Sequence, residues 1–286
     1  MNALQRIAGG AATAFAVFAL AAPAFAGGSL KDKPAEPRRC TFSANVGLTT
    51  DYVFRGMSQT QESPAIQGGF DATCGMFYAG VWASSLDWGP DDNGQTAASI
   101  EMDLYAGIKF TTGKIAWDAG VIYYTYPNSS NALATFPLPG REANYFELKL
   151  GASAEVWKGG TLGGTVYYSP DYQYETGAVW TLEGTFSQTL PVLFGRITPT
   201  FSALVGYQVS DDDKVLYNNN VLGLFGTGVN DHAYLYWNAG VTFALDKNWS
   251  VDVRYWDTNI SGASTCNQGT LFSCDERVTG TLKFTY

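Results

Sequence analysis

Apolar and polar residues alternate along most of the chain, most clearly between Ile100 and Phe110. Every second residue of this segment is apolar, whereas the intervening positions include Glu101, Asp103 and Lys109. Successive side chains of a β-strand point to opposite faces, so one face of this strand is apolar and the other carries charges. The same alternation, without helical periodicity, recurs in three other segments, 146–155, 234–243 and 278–286.

Turn-forming residues divide the chain into twelve predicted strands. Five short connections alternate with six longer polar ones, which lie at 51–63, 89–97, 127–142, 170–176, 210–231 and 260–275. The predicted strands are 41–51, 64–73, 76–88, 98–110, 115–126, 143–157, 161–169, 177–190, 196–209, 232–245, 249–259 and 276–286. This organisation predicts an all-β fold, a transmembrane antiparallel up-and-down β-barrel of about 12 strands with both termini in the periplasm.

The composition favours a membrane barrel over a soluble β-sandwich. Charged residues make up only 15% of the chain, compared with roughly 25% in soluble domains. Outward-phase aromatic residues fall near the short turns (Phe110, Trp249) and near the long loops (Tyr52, Tyr123, Tyr168). Two aromatic girdles are typical of a barrel that crosses a bilayer, whereas a sandwich has no reason to collect aromatics at both ends of one face.

The first 26 residues have the pattern of a secretory signal peptide. Arg6 precedes an apolar stretch that ends at Ala24-Phe25-Ala26, a small-x-small cleavage pattern. A transmembrane anchor is the alternative, but Gly9, Gly10 and Pro23 interrupt the stretch. We therefore expect a signal peptide at 1–26, a disordered periplasmic lead-in at 27–39 and the barrel at 40–286.

Charge and histidine content exclude several function classes. A formal net charge of −9 makes nucleic acid an unsuitable partner, because phosphate binding needs clustered Lys and Arg. The chain has one histidine, His232, with no serine nucleophile in its local pattern. We predict a protein that is not an enzyme, with no catalytic residues, no metal site and no cofactor.

Several segments resemble the TorF-type porin family of proteobacteria. They are Asn45–Arg55 (NVGLTTDYVFR), Pro64–Asp71 (PAIQGGFD), Phe77–Trp82 (FYAGVW), Glu101–Gly107 (EMDLYAG), Asn144–Glu147 (NYFE) and Arg254–Thr258 (RYWDT). The resemblance implies a barrel in the outer membrane of a Gram-negative bacterium, in contact with outer-membrane lipid, and suggests a porin role. It supplies no substrate residue, and the loops 127–142 and 210–231 are the segments least like the family. The terminal strand ending at Tyr286 also resembles the signature that the bacterial barrel-insertion machinery recognises.

Charged residues on the other phase of the strands are candidates to line a lumen. They are Asp51, Arg55, Asp71, Glu101, Asp103, Lys109, Asp118, Glu147, Lys149, Glu183, Asp252, Arg254 and Lys283. We place them inside because Lys or Arg facing hydrocarbon near the midplane costs roughly 2–4 kcal/mol. They predict a porin-like channel for passive diffusion of an unidentified small solute or ions, with a weak cation preference helped by acidic loops such as Asp211–Asp213. In the alternative interpretation the charges pair across the lumen, and the protein is a closed structural or surface-interaction barrel.

Lumen-phase aromatics and the cysteines complete the candidate residues. Tyr105, Tyr124, Tyr145, Tyr234 and Tyr236 form either a stacking track for a solute or bulky filling of the lumen. Four cysteines allow three full pairings, and the strand order favours structural disulfides between neighbours at the same end of the barrel. The predicted pairs are Cys40–Cys74 and Cys266–Cys274.

Overall fold

The computed structural model describes residues 40–89, 98–127, 129, 142–173, 175–210, 233–260 and 274–286. Twelve antiparallel strands form one closed barrel, as the sequence predicts. They are β1 (Thr41–Thr49), β4 (Ala65–Cys74), β5 (Phe77–Ser85), β6 (Ile100–Thr112), β7 (Ile115–Thr125), β8 (Tyr145–Trp157), β9 (Gly160–Ser169), β10 (Val179–Thr189), β11 (Thr198–Ser210), β12 (Ala233–Ala244), β13 (Trp249–Thr258) and β14 (Arg277–Thr285). The two-residue strands β2 (Val53–Phe54) and β3 (Met57–Ser58) form a separate hairpin.

The predicted signal peptide and lead-in lie outside the described residues, as do His232 and most of the long loops. Within the described ranges, no helix has the length and apolar character that crossing a membrane requires. We call the end of the barrel that holds the short turns, Cys40 and Tyr286 the turn end, and the opposite end the loop end.

The outer face of the barrel is apolar. Leu148 and Leu150 on β8 are each 51% exposed, although burying such side chains from water is favourable by about 1.5–3 kcal/mol apiece. On β5, large residues occupy both alternating positions, so the sequence does not show which face is outward. Phe77 points outward, whereas Tyr78 is more buried and lies on the inner phase. A lipid bilayer keeps this apolar surface away from water. A closed barrel also exposes no unpaired strand edge to the lipid.

Aromatic residues pair on the outer face near both ends of the barrel. At the turn end, the rings of Trp249 and Phe284 lie 5.0 Å apart, and at the loop end those of Tyr168 and Trp180 lie 4.4 Å apart. The prediction that Tyr52 belongs to the loop-end girdle is wrong. Tyr52 is 1% exposed and lies inside the barrel, because the connection that contains it folds inward.

The short turns are stabilised by local hydrogen bonds. In the turn between β12 and β13, the backbone N–H groups of Asn248 and Trp249 donate to Asp246 Oδ1 at 2.7 and 2.8 Å. These two hydrogen bonds favour the ionised carboxylate and lower the pKa of Asp246. Asp246 therefore ends β12 by capping the backbone groups that follow it.

The predicted disulfide between Cys40 and Cys74 is present at the turn end. Cys40 precedes β1 and Cys74 ends β4, and the pairing of Thr41 with Thr73 brings the two cysteines side by side. Cys274 is also disulfide-bonded, but Cys266 lies outside the described residues, so the second pairing stays a prediction.

Removing the Cys40–Cys74 link by a Cys40→Ser/Cys74→Ser double substitution should leave the barrel foldable but less stable. The disulfide closes a segment with a sequence separation of 34, which corresponds to about 3–4 kcal/mol of lost loop-closure entropy in the unfolded chain. Urea unfolding of the refolded barrel in lipid, followed by tryptophan fluorescence, measures the difference. Equal unfolding midpoints for the two proteins would contradict this account.

The barrel closes through a short seam between its first and last strands. Five residue pairs join β1 to β14, from Asn45–Thr285 to Thr49–Thr281, whereas nine pairs join β1 to β4. Hydrogen bonds between the backbones of Ala44 and Tyr286 extend the seam at the turn end.

Candidate permeation pathway

The predicted pore-lining charges on the strands lie on the inner phase of the barrel, where burial alternates with the exposed outer positions. These are Asp71, Glu101, Asp103, Lys109, Asp118, Glu147, Lys149, Glu183, Asp252, Arg254 and Lys283. The predicted aromatic residues Tyr105, Tyr124, Tyr145, Tyr234 and Tyr236 share this phase. Their role in permeation stays a prediction.

Asp51 and Arg55 are placed differently from the expectation, because neither lies on a wall strand. β1 ends at Thr49, and the connection to β4 folds into the barrel instead of outward. Every residue from Asp51 to Thr60 except Phe54 is buried. We call residues 51–63 the lumen hairpin.

The tip of the lumen hairpin is a tight turn formed by Arg55 and Gly56. β2 and β3 pair through Phe54 and Met57, which leaves a two-residue connection. Arg55 and Gly56 both have positive φ, 49° and 84°, as a type I′ hairpin turn requires. A Cβ atom at residue 56 would collide with the side chain of Thr258 on β13, so glycine also permits the close approach to the wall.

Arg55 is held across the lumen by Glu147. Its Nη1 and Nη2 atoms donate to the two carboxylate oxygens of Glu147 at 2.8 Å each, a bidentate ion pair. Arg55 is 4% exposed and Glu147 0%. Tyr124 donates a further hydrogen bond to Glu147 Oε2 at 2.9 Å. Since β8 lies far from β1 in the strand order, this contact spans the barrel interior.

Aromatic rings and other polar groups surround the guanidinium. It lies 4.8 Å from the ring centroid of Phe54 and 5.2 Å from that of Tyr167, within the range of cation–π attraction. The Tyr234 hydroxyl donates to the backbone carbonyl of Arg55 at 3.1 Å. The hairpin tip therefore contacts side chains from several strands at once.

Asp51 fixes the base of the lumen hairpin. Its Oδ1 accepts hydrogen bonds from Ser58 Oγ at 2.7 Å and Thr60 Oγ1 at 2.8 Å. Its Oδ2 accepts from Arg277 Nη1 on β14 at 2.9 Å. One carboxylate thus joins both arms of the hairpin to the barrel wall. Extending the connection away from the barrel would break these three hydrogen bonds.

Tyrosines fill the space between the hairpin and the wall. Tyr124 and Tyr145 stack with ring centroids 4.4 Å apart, and Tyr236 donates to Glu183 at 2.6 Å. Tyr124, Tyr145 and Tyr236 are buried. Their packing favours lumen filling over an open stacking track at the loop end.

The lumen toward the turn end is more polar and less buried. Asp118 accepts hydrogen bonds from Tyr78 at 2.7 Å and from Lys149 at 2.8 Å. Asp71 accepts one from Tyr105 at 2.6 Å. The ring of Tyr78 contacts Gly107 so closely that a Cβ atom there would lie 2.7 Å from Tyr78 Cζ. Glycine on this strand lets the tyrosine lie along the wall and leaves the bore wider.

Arg254 is tied into the wall and not directed at the bore. It donates to Asp252 at 3.1 and 3.0 Å, to Asn238 at 2.7 Å and to Ser202 at 2.9 Å. Its hydrogen-bonding capacity is therefore largely used within the sheet, which makes Asp252 and Arg254 structural in this arrangement.

Charges on the inner face differ between the two ends of the barrel. The four carboxylates of Glu101, Asp103, Glu147 and Glu183 lie toward the loop end, where Arg55 supplies a guanidinium. Toward the turn end, Lys109, Lys149 and Lys283 accompany Asp71 and Asp118. The inner face is thus divided into an acidic loop-end half and a mixed turn-end half.

The lumen hairpin is the structural element inside the barrel that the sequence pattern did not predict. A signal for it is present, since Arg55-Gly56 stands between the apolar residues Phe54 and Met57. Two-residue connections of this kind favour hairpins, but the flanking strands are too short for the alternation of apolar and polar residues to identify.

A closed barrel with an apolar outer face and a charged interior defines a transmembrane β-barrel. Comparison with protein families gives the particular group. A family described as "Bacterial protein of unknown function (Gcw_chp)" matches residues 32–286, so the chain belongs to this family. A comparison with the curated proteins finds no match. The resemblance to TorF-type porins is not tested by these comparisons.

Solved barrels share the arrangement at low sequence identity. The chain is similar to "KdgM porin", with 10% identity, a TM-score of 0.48, and coverage of 85% of this chain and 98% of that one. It is similar to "NanC porin" (8% identity, TM-score 0.44, 86% and 98% covered) and to "LpxR from Salmonella typhimurium" (9%, 0.45, 85% and 99%). At these values the comparisons carry no argument about activity or solute, and the fold assignment rests on the chain's own strand pairing.

Proposed function

We propose that this protein is a porin-like channel in the outer membrane of a Gram-negative bacterium, through which small solutes or ions diffuse passively. The observation that supports it best is a set of partly exposed charged side chains in the lumen toward the turn end, inside a barrel with an apolar exterior: Asp71, Lys109, Lys149 and Lys283.

The dimensions fit a narrow channel. Barrels of about eight strands are filled by side chains, whereas those of 16–18 strands leave an aqueous channel. A twelve-stranded barrel lies between these sizes. The lumen hairpin occupies part of the bore, so the proposed path passes alongside the hairpin.

A weak cation preference is part of the proposal. Acidic side chains outnumber basic ones toward the loop end, and rings of acidic groups attract cations into a pore. The acidic loop residues Asp211–Asp213, which also entered the sequence prediction, lie outside the described residues. We further propose that both termini face the periplasm and that the machinery for barrel insertion assembles the protein.

A closed structural or surface-interaction barrel is the second candidate. The buried tyrosines around the hairpin favour it, because Tyr124 and Tyr236 are almost completely removed from solvent. In that case the lumen hairpin acts as a permanent plug and any contact with partners is made by the long loops.

Single-channel recording of the refolded protein in a planar bilayer separates the two candidates. The channel proposal predicts reproducible small conductance steps and a reversal potential displaced toward the cation in a salt gradient. Barrel folding is checked in the same preparation by heat-sensitive migration on a gel. Absence of steps from folded protein would support the plugged barrel instead.

A further inference from the structure

Two buried carboxylates on β6 have no basic partner in the described part of the chain. Glu101 and Asp103 are each 2% exposed and project from the same face of the strand, two residues apart. The ion pairs of the described residues involve other carboxylates, namely Glu147, Asp118, Asp252, Asp51 and Glu62. Asp103 Oδ1 also lacks a hydrogen-bond partner there.

A tyrosine hydroxyl at the base of the lumen hairpin faces the same place. Tyr52 is 1% exposed, and its hydroxyl has no hydrogen-bond partner among the described residues. The ring of Tyr52 packs edge-on against Trp82, with centroids 5.4 Å apart. Trp82 on β5 is the cross-strand neighbour of Asp103, which places Tyr52 next to the two carboxylates of β6. Three buried oxygen-bearing groups from two parts of the chain therefore converge, and two of them, the Tyr52 hydroxyl and Asp103 Oδ1, have unused bonding capacity.

The two bases that form ion pairs at the lumen hairpin are already bound by other acids. Arg55 is bound by Glu147, and Arg277 by Asp51. Burying a carboxylate charge without compensation is costly, so a pair of them requires either a proton or a cation. Two carboxylates next to a hydroxyl oxygen match the ligand chemistry of a hard divalent cation, which takes oxygen ligands and completes its shell with water.

We propose that Glu101, Asp103 and Tyr52 form a weak binding site for a partly hydrated divalent cation of the Ca²⁺ type. The site lies between β6 and the lumen hairpin, so an occupying cation links the hairpin base to the wall. This inference rests on the proposed cation-preferring channel and deepens it by naming a place where a cation binds inside the lumen. Few protein ligands imply an affinity in the range of about 10⁻⁴–10⁻³ M.

Terbium luminescence tests the site directly on the folded, full-length barrel in detergent. Tb³⁺ substitutes for Ca²⁺ at oxygen sites, and Trp82, which contacts Tyr52, is positioned to sensitise its emission. We expect saturable emission from the wild type that added Ca²⁺ displaces. The Glu101→Gln/Asp103→Asn variant should bind at least about tenfold more weakly, a loss of about 1.4 kcal/mol.

Matched variants separate this site from general surface binding. Glu276→Gln removes an exposed acid near the start of β14 and should leave the emission unchanged. Tyr52→Phe keeps the ring but removes the hydroxyl, and should weaken binding several-fold even if the double variant fails to fold. The proposal is overturned if the wild-type protein gives no saturable emission. It is also overturned if neither the double variant nor Tyr52→Phe changes the emission. In either case a shared proton, and not a cation, stabilises the buried carboxylate pair.

The outcome is independent of the channel recording. Conductance steps without Tb³⁺ binding contradict the site and leave the channel proposal in place. Saturable binding in a barrel that gives no conductance contradicts the channel and retains the cation site.

Discussion

Removing the lumen hairpin should raise single-channel conductance several-fold. Thr49 and Ala65 are directly paired across β1 and β4, so a two-residue Asn-Gly turn with short flanks can replace residues 51–63 without moving either strand. The replacement takes Arg55 and the buried residues around it out of the bore. Water then fills the space, and the Glu147 carboxylate becomes hydrated.

Planar-bilayer recording under identical salt and voltage compares the shortened and full-length proteins. The control is the Arg55→Lys variant, which keeps the hairpin and its charge but loses the bidentate geometry, and should change conductance far less. Equal conductance of the shortened and wild-type barrels would show that the hairpin does not limit flow.

Separating Arg55 from Glu147 should destabilise the inward position of the hairpin. Both members of the pair are almost completely buried, and removing one partner of such a pair costs about 3–5 kcal/mol because the other charge is left uncompensated. Glu147→Ala and Arg55→Ala should therefore each lower the urea midpoint and increase the frequency of high-conductance events. The double substitution should cost less than the sum of the two.

The Lys149–Asp118 pair is the matched control for this cycle. Its N–O distance is the same, 2.8 Å, but its side chains are more exposed, 12% and 6%. Lys149→Ala should therefore produce a smaller loss of stability and no change in opening frequency. Strict additivity of the Arg55 and Glu147 substitutions would mean that the two residues do not act together.

The sequence predicted the wall of this barrel and missed the lumen hairpin within it. Strands such as β6 and β8 carry a period-two signal over about ten residues, because one face meets lipid and the other meets a polar lumen. That signal placed Glu101, Lys149 and Arg254 on the inner phase, and the turn-forming residues predicted the number of strands. The strand bounds differ from the prediction by a few residues, since strand ends have little periodic signal.

The inward course of residues 51–63 depends on contacts that are distant in sequence. Arg55 and Glu147 are 92 residues apart, and nothing local to either indicates that they meet. The same limit explains why Tyr52 was assigned to an outer girdle. Its position in the strand pattern suggested the outer phase, but the chain leaves the wall at Thr49, three residues earlier.

The five-pair seam between β1 and β14 has a consequence for the order of assembly. Its contacts join residues such as Thr49 and Thr281, which are 232 positions apart. The other ladders join strands that follow one another along the chain, with little loop entropy to lose. Ring closure is thus the slowest contact to form and the last. Until it forms, the sheet has two bare edges with unsatisfied N–H and C=O groups, so the nascent protein needs a template or a protected surface for β1 and β14.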